Sequence, residues 1–235
     1  MISGLQKMTL LDYPGKVACT VFLQGCNFRC PFCHNSDLLG KDGPETIPTE
    51  TLLSFLKKRV GLLDAVCVTG GEPTLQKELP ALLRSIKALG YLVKLDTNGS
   101  RPAVLKALVE EKLVDYVAMD IKNSRERYGD TAGLPNMDLT PVEESIRYLL
   151  EDHVDYEFRT TVVDELHEIQ DIGLMGAWLC GLVHGRKPLR HYIQPYVDRE
   201  SVLTGGLHTP SREKLLEMAE KLSAYAGLVE IRGLD

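Results

Sequence analysis

The stretch that decides the interpretation is Gly25-Cys26-Asn27-Phe28-Arg29-Cys30-Pro31-Phe32-Cys33-His34-Asn35. Its three cysteines have the spacing C-x3-C-x2-C and follow a β-rich apolar run from Val17 to Leu23. An iron–sulfur cube normally takes four thiolates, one for each iron. Three thiolates from one loop would hold three irons and leave the fourth iron open, and an open coordination position is what a catalytic metal needs.

A structural zinc site is the alternative. Cys26, Cys30, Cys33 and His34 are the ligand types of a Cys3His site. Against zinc, His34 directly follows Cys33, so its ring would have to fold back sharply to reach the same ion. No second cysteine pair completes a zinc ribbon. The loop spacing alone leaves iron and zinc both open.

Composition and charge narrow the class of protein. The 235 residues are 44% hydrophobic and 26% charged, which is typical of a globular protein, and the net charge is −6. No basic face is visible, which argues against nucleic acid as a partner. No apolar run approaches the ~20 residues of a membrane span, and the N-terminus lacks a signal-peptide layout. We therefore expect a cytoplasmic protein without membrane association, in which six cysteines indicate metal or redox chemistry rather than disulfides.

Predicted strands alternate with predicted helices along the rest of the chain. This alternation predicts parallel strands with helical crossovers, in six units plus a terminal strand. Thr-Pro pairs at 140–141 and 209–210 are expected to open two of the helices, with threonine as the N-cap of the first. The strands are predicted at 17–23, 65–69, 91–96, 114–121, 155–163, 189–195 and 228–232, and the helices at 51–60, 79–89, 102–112, 140–152, 169–182 and 210–225.

Two arrangements fit this pattern, an open doubly wound sheet and an incomplete (β/α)6 barrel. In β/α barrels the reactive groups gather at the carboxyl ends of the strands. Chemically capable residues recur at or just after successive strands here, which favours the incomplete barrel as one α/β domain spanning residues 1–235. These residues are Cys26, Gly71, Asp96, Asp120 and Gln194.

The cysteine motif, with the aromatic Phe32 just before its last cysteine, resembles the signature of the radical S-adenosylmethionine (SAM) superfamily. The stretches 8–16 and 22–35 together are similar to the glycyl radical enzyme activases, in particular the activating proteins of anaerobic ribonucleoside-triphosphate reductase. The similarity to pyruvate formate-lyase activases extends to about Val163. The resemblance implies one [4Fe–4S] cluster on Cys26, Cys30 and Cys33, with SAM chelating the open iron.

The same resemblance implies a SAM pocket. Gly70-Gly71-Glu72-Pro73 matches the family's GGEP motif, which receives the ammonium of SAM. Asp96-Thr97-Asn98-Gly99 matches DTNG, and Asp120-Ile121-Lys122 matches D-[LI]-K. Lys122 is then expected at the carboxylate of SAM, and Asp96 and Asp120 at its polar groups or a nearby cation. Besides the cysteines, the predicted cofactor-binding residues are Phe32, Gly70, Gly71, Glu72, Asp96, Asn98, Asp120 and Lys122.

Several residues fall outside these motifs. Arg159 matches an activase arginine, and it could line a substrate cleft or form a surface ion pair. The family places a histidine near SAM after Gln194-Pro195-Tyr196, whereas this chain has Val197-Asp198. The other cysteines, at 19, 67 and 180, lie in apolar segments and are expected to be inert. The histidines at 153, 167, 184, 191 and 208 lack ligand spacing and receive no role.

The resemblance implies a function and its partners. A flavodoxin or ferredoxin would deliver one electron, SAM would be cleaved to methionine and a 5′-deoxyadenosyl radical, and the radical would remove a glycine α-hydrogen from a partner enzyme. Anaerobic ribonucleoside-triphosphate reductase is the expected partner. Two alternatives are a radical SAM enzyme acting on a small molecule, such as a 7-carboxy-7-deazaguanine synthase, and a non-catalytic zinc-stabilised interaction protein.

Overall fold

The computed structural model describes residues 1–40 and 46–233. The chain comprises two compact units. The first, unit 1, consists of Met1–Asn27, Asp37–Thr97 and Arg101–Ala118, and unit 2 consists of Phe28–Ser36, Asn98–Ser100 and Met119–Asp235. That residues 1–235 form a single domain stays a prediction. No helix within the described ranges is long and apolar enough to cross a bilayer.

Unit 1 is built on strands that neighbour one another in chain order. The first two strands are antiparallel, and β2, β3 and β4 are parallel in continuous register, so that Thr20, Cys67 and Lys94 are lateral neighbours. Its strands are β1 (Ile2–Thr9), β2 (Ala18–Leu23), β3 (Ala65–Gly70), β4 (Leu92–Thr97) and the start of β5 (Tyr116–Asp120), and its helices are α1 (Thr49–Lys57), α2 (Leu79–Lys87) and α3 (Pro102–Glu110).

Within unit 2, strands and helices alternate from the end of β5 onward. Strands β6, β7 and β8 are parallel and pair in chain order. The elements are α4 (Tyr128–Thr131), α5 (Thr140–Leu150), β6 (Asp155–Val162), α6 (Ile169–Gly181), β7 (Arg190–Pro195), α7 (Arg212–Ser223) and β8 (Leu228–Ile231). The predicted strands and helices are therefore confirmed in both units to within a few residues at each end.

Strand β1 was missed by the sequence reasoning. It has no clean alternation, because its middle residues are half-buried or exposed and its pairing with β2 contains two register shifts. Gly4 lies against Phe22, where a Cβ atom would be 3.3 Å from the phenylalanine side chain. The irregular pairing removes the period of two by which a strand is recognised.

The predicted threonine N-cap of α5 is wrong, and α7 begins after the Thr-Pro pair that was expected to open it. Helix α5 begins at Thr140 itself, and its N–H donates to a carboxylate oxygen of Asp138 at 3.0 Å. Helix α7 begins two residues after Pro210, and its cap is Ser211, whose hydroxyl accepts the N–H of Lys214 at 3.2 Å. The hydroxyl of Thr209 instead donates to the carbonyl of Tyr196 at 2.5 Å.

Cysteines outside the motif lie in the packed interior, as expected for Cys19 and Cys67. Both are fully buried, and Cys67 belongs to a cluster with Tyr13 and Tyr116. Burial raises the pKa of Cys19 to about 12 and also raises the pKa of Cys67, so both thiols are protonated near neutral pH. Cys180 is half-buried in α6, and its thiol donates to the carbonyl of Tyr225 at 3.3 Å.

Candidate active site

In unit 1, the segment that leads to Cys26 is held by the end of β3. The N–H of Gly71 donates to the carbonyl of Leu23, and the N–H of Glu72 donates to the carbonyl of Gly25, each at 2.8 Å. A Cβ atom on Gly71 would lie 2.2 Å from the Gly25 carbonyl oxygen. Only a glycine permits this approach of two backbones. The backbone immediately before Cys26 is therefore positioned by Gly71.

A second glycine and a glutamine contribute to the same support. Gly70 has a φ of +115°, and a Cβ atom there would lie 2.3 Å from the Leu23 carbonyl oxygen. The side-chain amide of Gln76 donates to the carbonyl of Gln24 at 2.6 Å. We expected the glycine pair to let the backbone approach a ligand. The structure gives it another task, close packing against the chain's own backbone, and the contact with SAM stays a prediction.

Glu72 is almost fully buried, with 1% of its surface exposed. One of its carboxylate oxygens accepts three hydrogen bonds, from the N–H of Thr74 at 3.0 Å, from the Thr74 hydroxyl at 2.5 Å and from the Thr97 hydroxyl at 2.8 Å. A carboxylate that accepts several hydrogen bonds is held in one orientation. Glu72 therefore joins the turn after β3 to the end of β4, a role that the motif alone did not indicate.

The end of β4 carries Asp96 beside a buried cation. Lys94 is 2% exposed, and its ammonium lies 3.6 Å from a carboxylate oxygen of Asp96. The ammonium also donates to the carbonyl of Asp12 and lies 5.9 Å from the centre of the Tyr116 ring. Buried charges require partners, and this lysine has both a carboxylate and a carbonyl. Lys94 and Asp96, two residues apart, therefore lie on the same face of β4.

Unit 2 brings together three charged side chains at the carboxyl end of β5. A carboxylate oxygen of Asp120 lies 3.1 Å from the Lys122 ammonium, and the other lies 2.9 Å from the Arg159 guanidinium. Burial alone would raise the pKa of Asp120, but the two cations outweigh it and lower the pKa to about 2. Burial would lower the pKa of Lys122, but the Asp120 carboxylate raises it on balance. All three groups are therefore charged near neutral pH.

Arg159 is 12% exposed, so its pairing with Asp120 is not a surface ion pair. Asn98 is also buried, and its side-chain oxygen accepts the N–H of Ser100 at 2.9 Å. The fully buried Tyr128, which sequence reasoning missed, donates its hydroxyl to the carbonyl of Asp120 at 3.3 Å. The end of β5 is thus fixed both through its side chains and through its main chain.

The second and third cysteines of the motif also lie in unit 2. The N–H of Cys33 donates to the carbonyl of Cys30 at 3.0 Å, which forms a tight turn around Phe32. The Phe32 ring is buried, and the Lys122 ammonium lies 5.9 Å from its centre. Burial raises the pKa of the Cys30 thiol, and the positive charge of Lys122 acts in the opposite direction. The pKa is raised on balance, so the thiolate form of Cys30 would have to be stabilised by the metal that it binds.

Residues 197–204 hold the cysteine segment in place. The Nε2 atom of His34 lies 2.6 Å from the carbonyl of Val197, and its ring stacks on Tyr196 at 5.7 Å between centres. Ser36 donates to the carbonyl of Ser201 at 2.6 Å, and the Ser201 hydroxyl donates back to the carbonyl of His34 at 2.7 Å. These contacts bind His34 to the loop that follows β7, which argues against a role for His34 as a fourth zinc ligand.

The donor set fits an iron–sulfur cluster. None of the six cysteines, all of which lie within the described residues, forms a disulfide, and three of them fall within the eight residues 26–33. Across residues 1–40 and 46–233, no three His, Cys, Asp or Glu side chains are grouped as ligands of a single metal ion. An iron–sulfur cube makes a different demand, because each thiolate binds its own iron. That the strand-end residues of both units share one site stays a prediction.

Comparison with known proteins decides the family. The model of the Radical SAM superfamily matches residues 20–171. The chain belongs to the radical SAM superfamily. A [4Fe–4S] cluster and SAM are the cofactors of this superfamily, which confirms the cofactor prediction, and the prediction of an enzyme is confirmed as well.

The relatives to which the chain is similar include an activating enzyme and a synthase. The "Putative glycyl-radical enzyme activating enzyme" of Methanocaldococcus jannaschii is 34% identical over 73% of this chain and 72% of its own length. The 7-carboxy-7-deazaguanine synthase of Koribacter versatilis is 33% identical over 63% of this chain and 62% of its own length.

Solved structures bear on the fold. A domain of the pyruvate-formate lyase-activating enzyme from Bacteroides vulgatus superposes with a TM-score of 0.59 over 72% of this chain and 99% of that chain, at 22% identity. This level of identity supports the fold alone. The predicted fold class, the incomplete (β/α)6 barrel of the radical SAM type, is confirmed.

Proposed function

We propose that this radical SAM protein is an activating enzyme that installs a glycyl radical on a partner enzyme, and that the partner is anaerobic ribonucleoside-triphosphate reductase. A flavodoxin or ferredoxin is the proposed electron donor, and the cytoplasm is the proposed compartment. When bound, the cluster and SAM would supply a 5′-deoxyadenosyl radical through one-electron reductive cleavage of SAM.

The activating role is supported by the similarity to the Methanocaldococcus jannaschii protein, and the binding of SAM is supported by the charged group at the carboxyl end of β5. The Lys122 ammonium, paired with Asp120, lies against the Phe32 ring between two motif cysteines. A chelating amino acid presents a carboxylate, and a fixed lysine beside the cysteine segment is the cation that would receive it. Arg159 is a second cationic partner of Asp120, so the charge of Asp120 is compensated even when the Lys122 ammonium also binds the SAM carboxylate.

We assign the remaining residues by the same reasoning. Cys26, Cys30 and Cys33 would each hold one iron. Gly70, Gly71 and Glu72 would present main-chain groups to the ammonium of SAM, while Asp96, Asn98 and Asp120 would hold its polar groups. Phe32 would shield the cluster from water. These roles follow the motifs in the sequence and the family to which the chain belongs.

Anaerobic reconstitution tests the cofactor assignment. We expect a brown protein with about four irons per chain and an EPR signal that changes on addition of SAM. Cys30→Ala should abolish the release of methionine from SAM, whereas Cys180→Ala, which removes a thiol outside the motif, should not. Colourless protein that holds one zinc would refute the proposal in favour of a structural zinc site.

The partner is tested separately, by incubation of the reconstituted protein with purified anaerobic ribonucleoside-triphosphate reductase, dithionite and SAM. A glycyl-radical EPR doublet in the reductase supports activation. The similarity to 7-carboxy-7-deazaguanine synthase, with 33% identity, favours a small-molecule reaction as the second candidate. Turnover of that synthase's substrate, with no doublet in the reductase, would replace the first candidate by the second.

A further inference from the structure

His167 received no role from the sequence, yet both nitrogens of its ring have main-chain partners. It is fully buried in the loop between β6 and α6. The Nε2 atom lies 2.8 Å from the carbonyl of Lys122, and because a carbonyl can only accept, this hydrogen bond requires the proton on Nε2. The Nδ1 atom lies 3.1 Å from the N–H of Val163 and 3.3 Å from the carbonyl of the same residue. Burial lowers the pKa of His167, which is consistent with a neutral ring.

The same ring packs against the cysteine segment. The His167 and Phe32 rings meet edge to face, with 6.4 Å between their centres. On the Phe32 ring lies the Lys122 ammonium, at 5.9 Å. One histidine thus contacts both the main chain of Lys122 and the aromatic residue between Cys30 and Cys33.

A neighbouring residue reinforces this connection. The side-chain amide of Asn123 donates to the carbonyl of Leu166 and to the hydroxyl of Thr131, each at 2.9 Å. The loop after β6 is therefore joined to the segment after β5 at two successive positions, 122 and 123. A main chain restrained at two adjacent residues has little freedom to relax.

We propose that His167 is a positioning residue for SAM, which holds the main chain of Lys122 and the ring of Phe32 so that the lysine ammonium stays directed at the SAM carboxylate. This rests on the proposed function, because it requires SAM to bind at Lys122. His167 does not touch the reacting atoms, and it acts through Lys122 and Phe32.

Two variants separate the parts of this role. His167→Phe keeps a ring against Phe32 but removes both hydrogen bonds, and His167→Gln keeps a donor for the Lys122 carbonyl but removes the ring. We expect His167→Phe to weaken SAM binding about tenfold, and His167→Gln to weaken it only about threefold, because the donor to Lys122 is retained. The measurement is the dissociation constant of SAM for anaerobic, reconstituted protein with an oxidised cluster, alongside iron content.

His153→Phe is the matched control, because His153 is exposed, bonds to Glu151 and stacks on Tyr148, outside the proposed site. Wild-type SAM affinity in both His167 variants would overturn the proposal. So would equal losses of affinity in both variants accompanied by loss of iron, since that pattern indicates a role in folding alone. Should His167→Phe not fold, wild-type affinity in His167→Gln and His167→Asn decides against the proposal. If the wild-type protein itself binds no SAM, the proposed function is refuted. This result is distinguishable from failure of the His167 proposal, in which wild-type protein binds SAM and the variants bind it equally well.

Discussion

Replacement of Gly71 by alanine tests whether the end of β3 positions the first cluster ligand. The added Cβ atom would lie 2.2 Å from the Gly25 carbonyl oxygen, 2.6 Å from its carbon and 3.2 Å from the nitrogen of Cys26. These are backbone atoms, so no flexible side chain can move aside. The Gly25 peptide would have to retreat by about 1 Å to reach a tolerable contact.

The energetic cost has two parts. Overpacking in a well-packed region typically costs about 1–3 kcal/mol. The retreat also stretches the two hydrogen bonds, from Gly71 to Leu23 and from Glu72 to Gly25, each now at 2.8 Å and each worth about 1 kcal/mol. We expect a total loss of about 2–4 kcal/mol, which lowers the melting temperature by roughly 2–4 °C per kcal/mol in a chain of this size.

The functional consequence should exceed the loss of stability. Displacement of Cys26 by about 1 Å moves its thiolate beyond bonding distance of the iron. After anaerobic reconstitution, the Gly71→Ala variant should therefore contain much less iron per chain than wild type and show a weaker visible absorbance from the iron–sulfur cluster. Gly181→Ala is the control, because that glycine has open space around its Cβ position. If Gly71→Ala takes up wild-type iron and shows a SAM-dependent EPR change, the reasoning about Gly71 is wrong.

Two further predictions concern buried ionisable groups. Burial lowers the pKa of His191 to about 3, below its usual 6.5, so the stability that its neutral form contributes is present above pH 6.5 and is lost as the pH falls toward 3. Between pH 7.5 and pH 5 we expect the free energy of unfolding, measured in urea, to fall by about 2 kcal/mol from this residue. The His191→Phe variant should lose about 2 kcal/mol less than wild type over the same pH range. Identical pH profiles would contradict the assignment. Lys94→Met should lower the free energy of unfolding by about 3 kcal/mol, because it removes the buried cation beside Asp96. Lys58→Met, at an exposed lysine, is the control and should change the free energy of unfolding little. Equal effects of the two substitutions would contradict a stabilising role of the Lys94–Asp96 pair.

The sequence predicted the order and type of nearly every element, because strand and helix periods are written into single segments of chain. The D-[LI]-K motif also indicated that Asp120 and Lys122 lie together at the end of β5, whereas the pairing of Asp120 with Arg159 was not foreseen. Strand β1 was missed where register shifts removed the alternation. The starts of α5 and α7 were misplaced because Asp138 and Ser211, rather than Thr140 and Thr209, accept hydrogen bonds from N–H groups of the first turn.

Two residues whose contacts the sequence did not indicate share a physical property, namely that their partners are main-chain carbonyls. Gly71 packs on the carbonyl of Gly25, and His167 donates to that of Lys122. Every residue has a main-chain carbonyl, so a partner of this kind cannot be identified from the residue types in the sequence. An ion pair such as Asp120 with Arg159, in contrast, requires two charged side chains that the sequence shows. Ligand spacing was consequently the wrong test for the histidines. A buried histidine with two main-chain partners needs no second histidine or cysteine at a fixed spacing. Its hydrogen-bond partners can be identified only from the folded structure, which brings the carbonyl of Lys122 to the ring of His167.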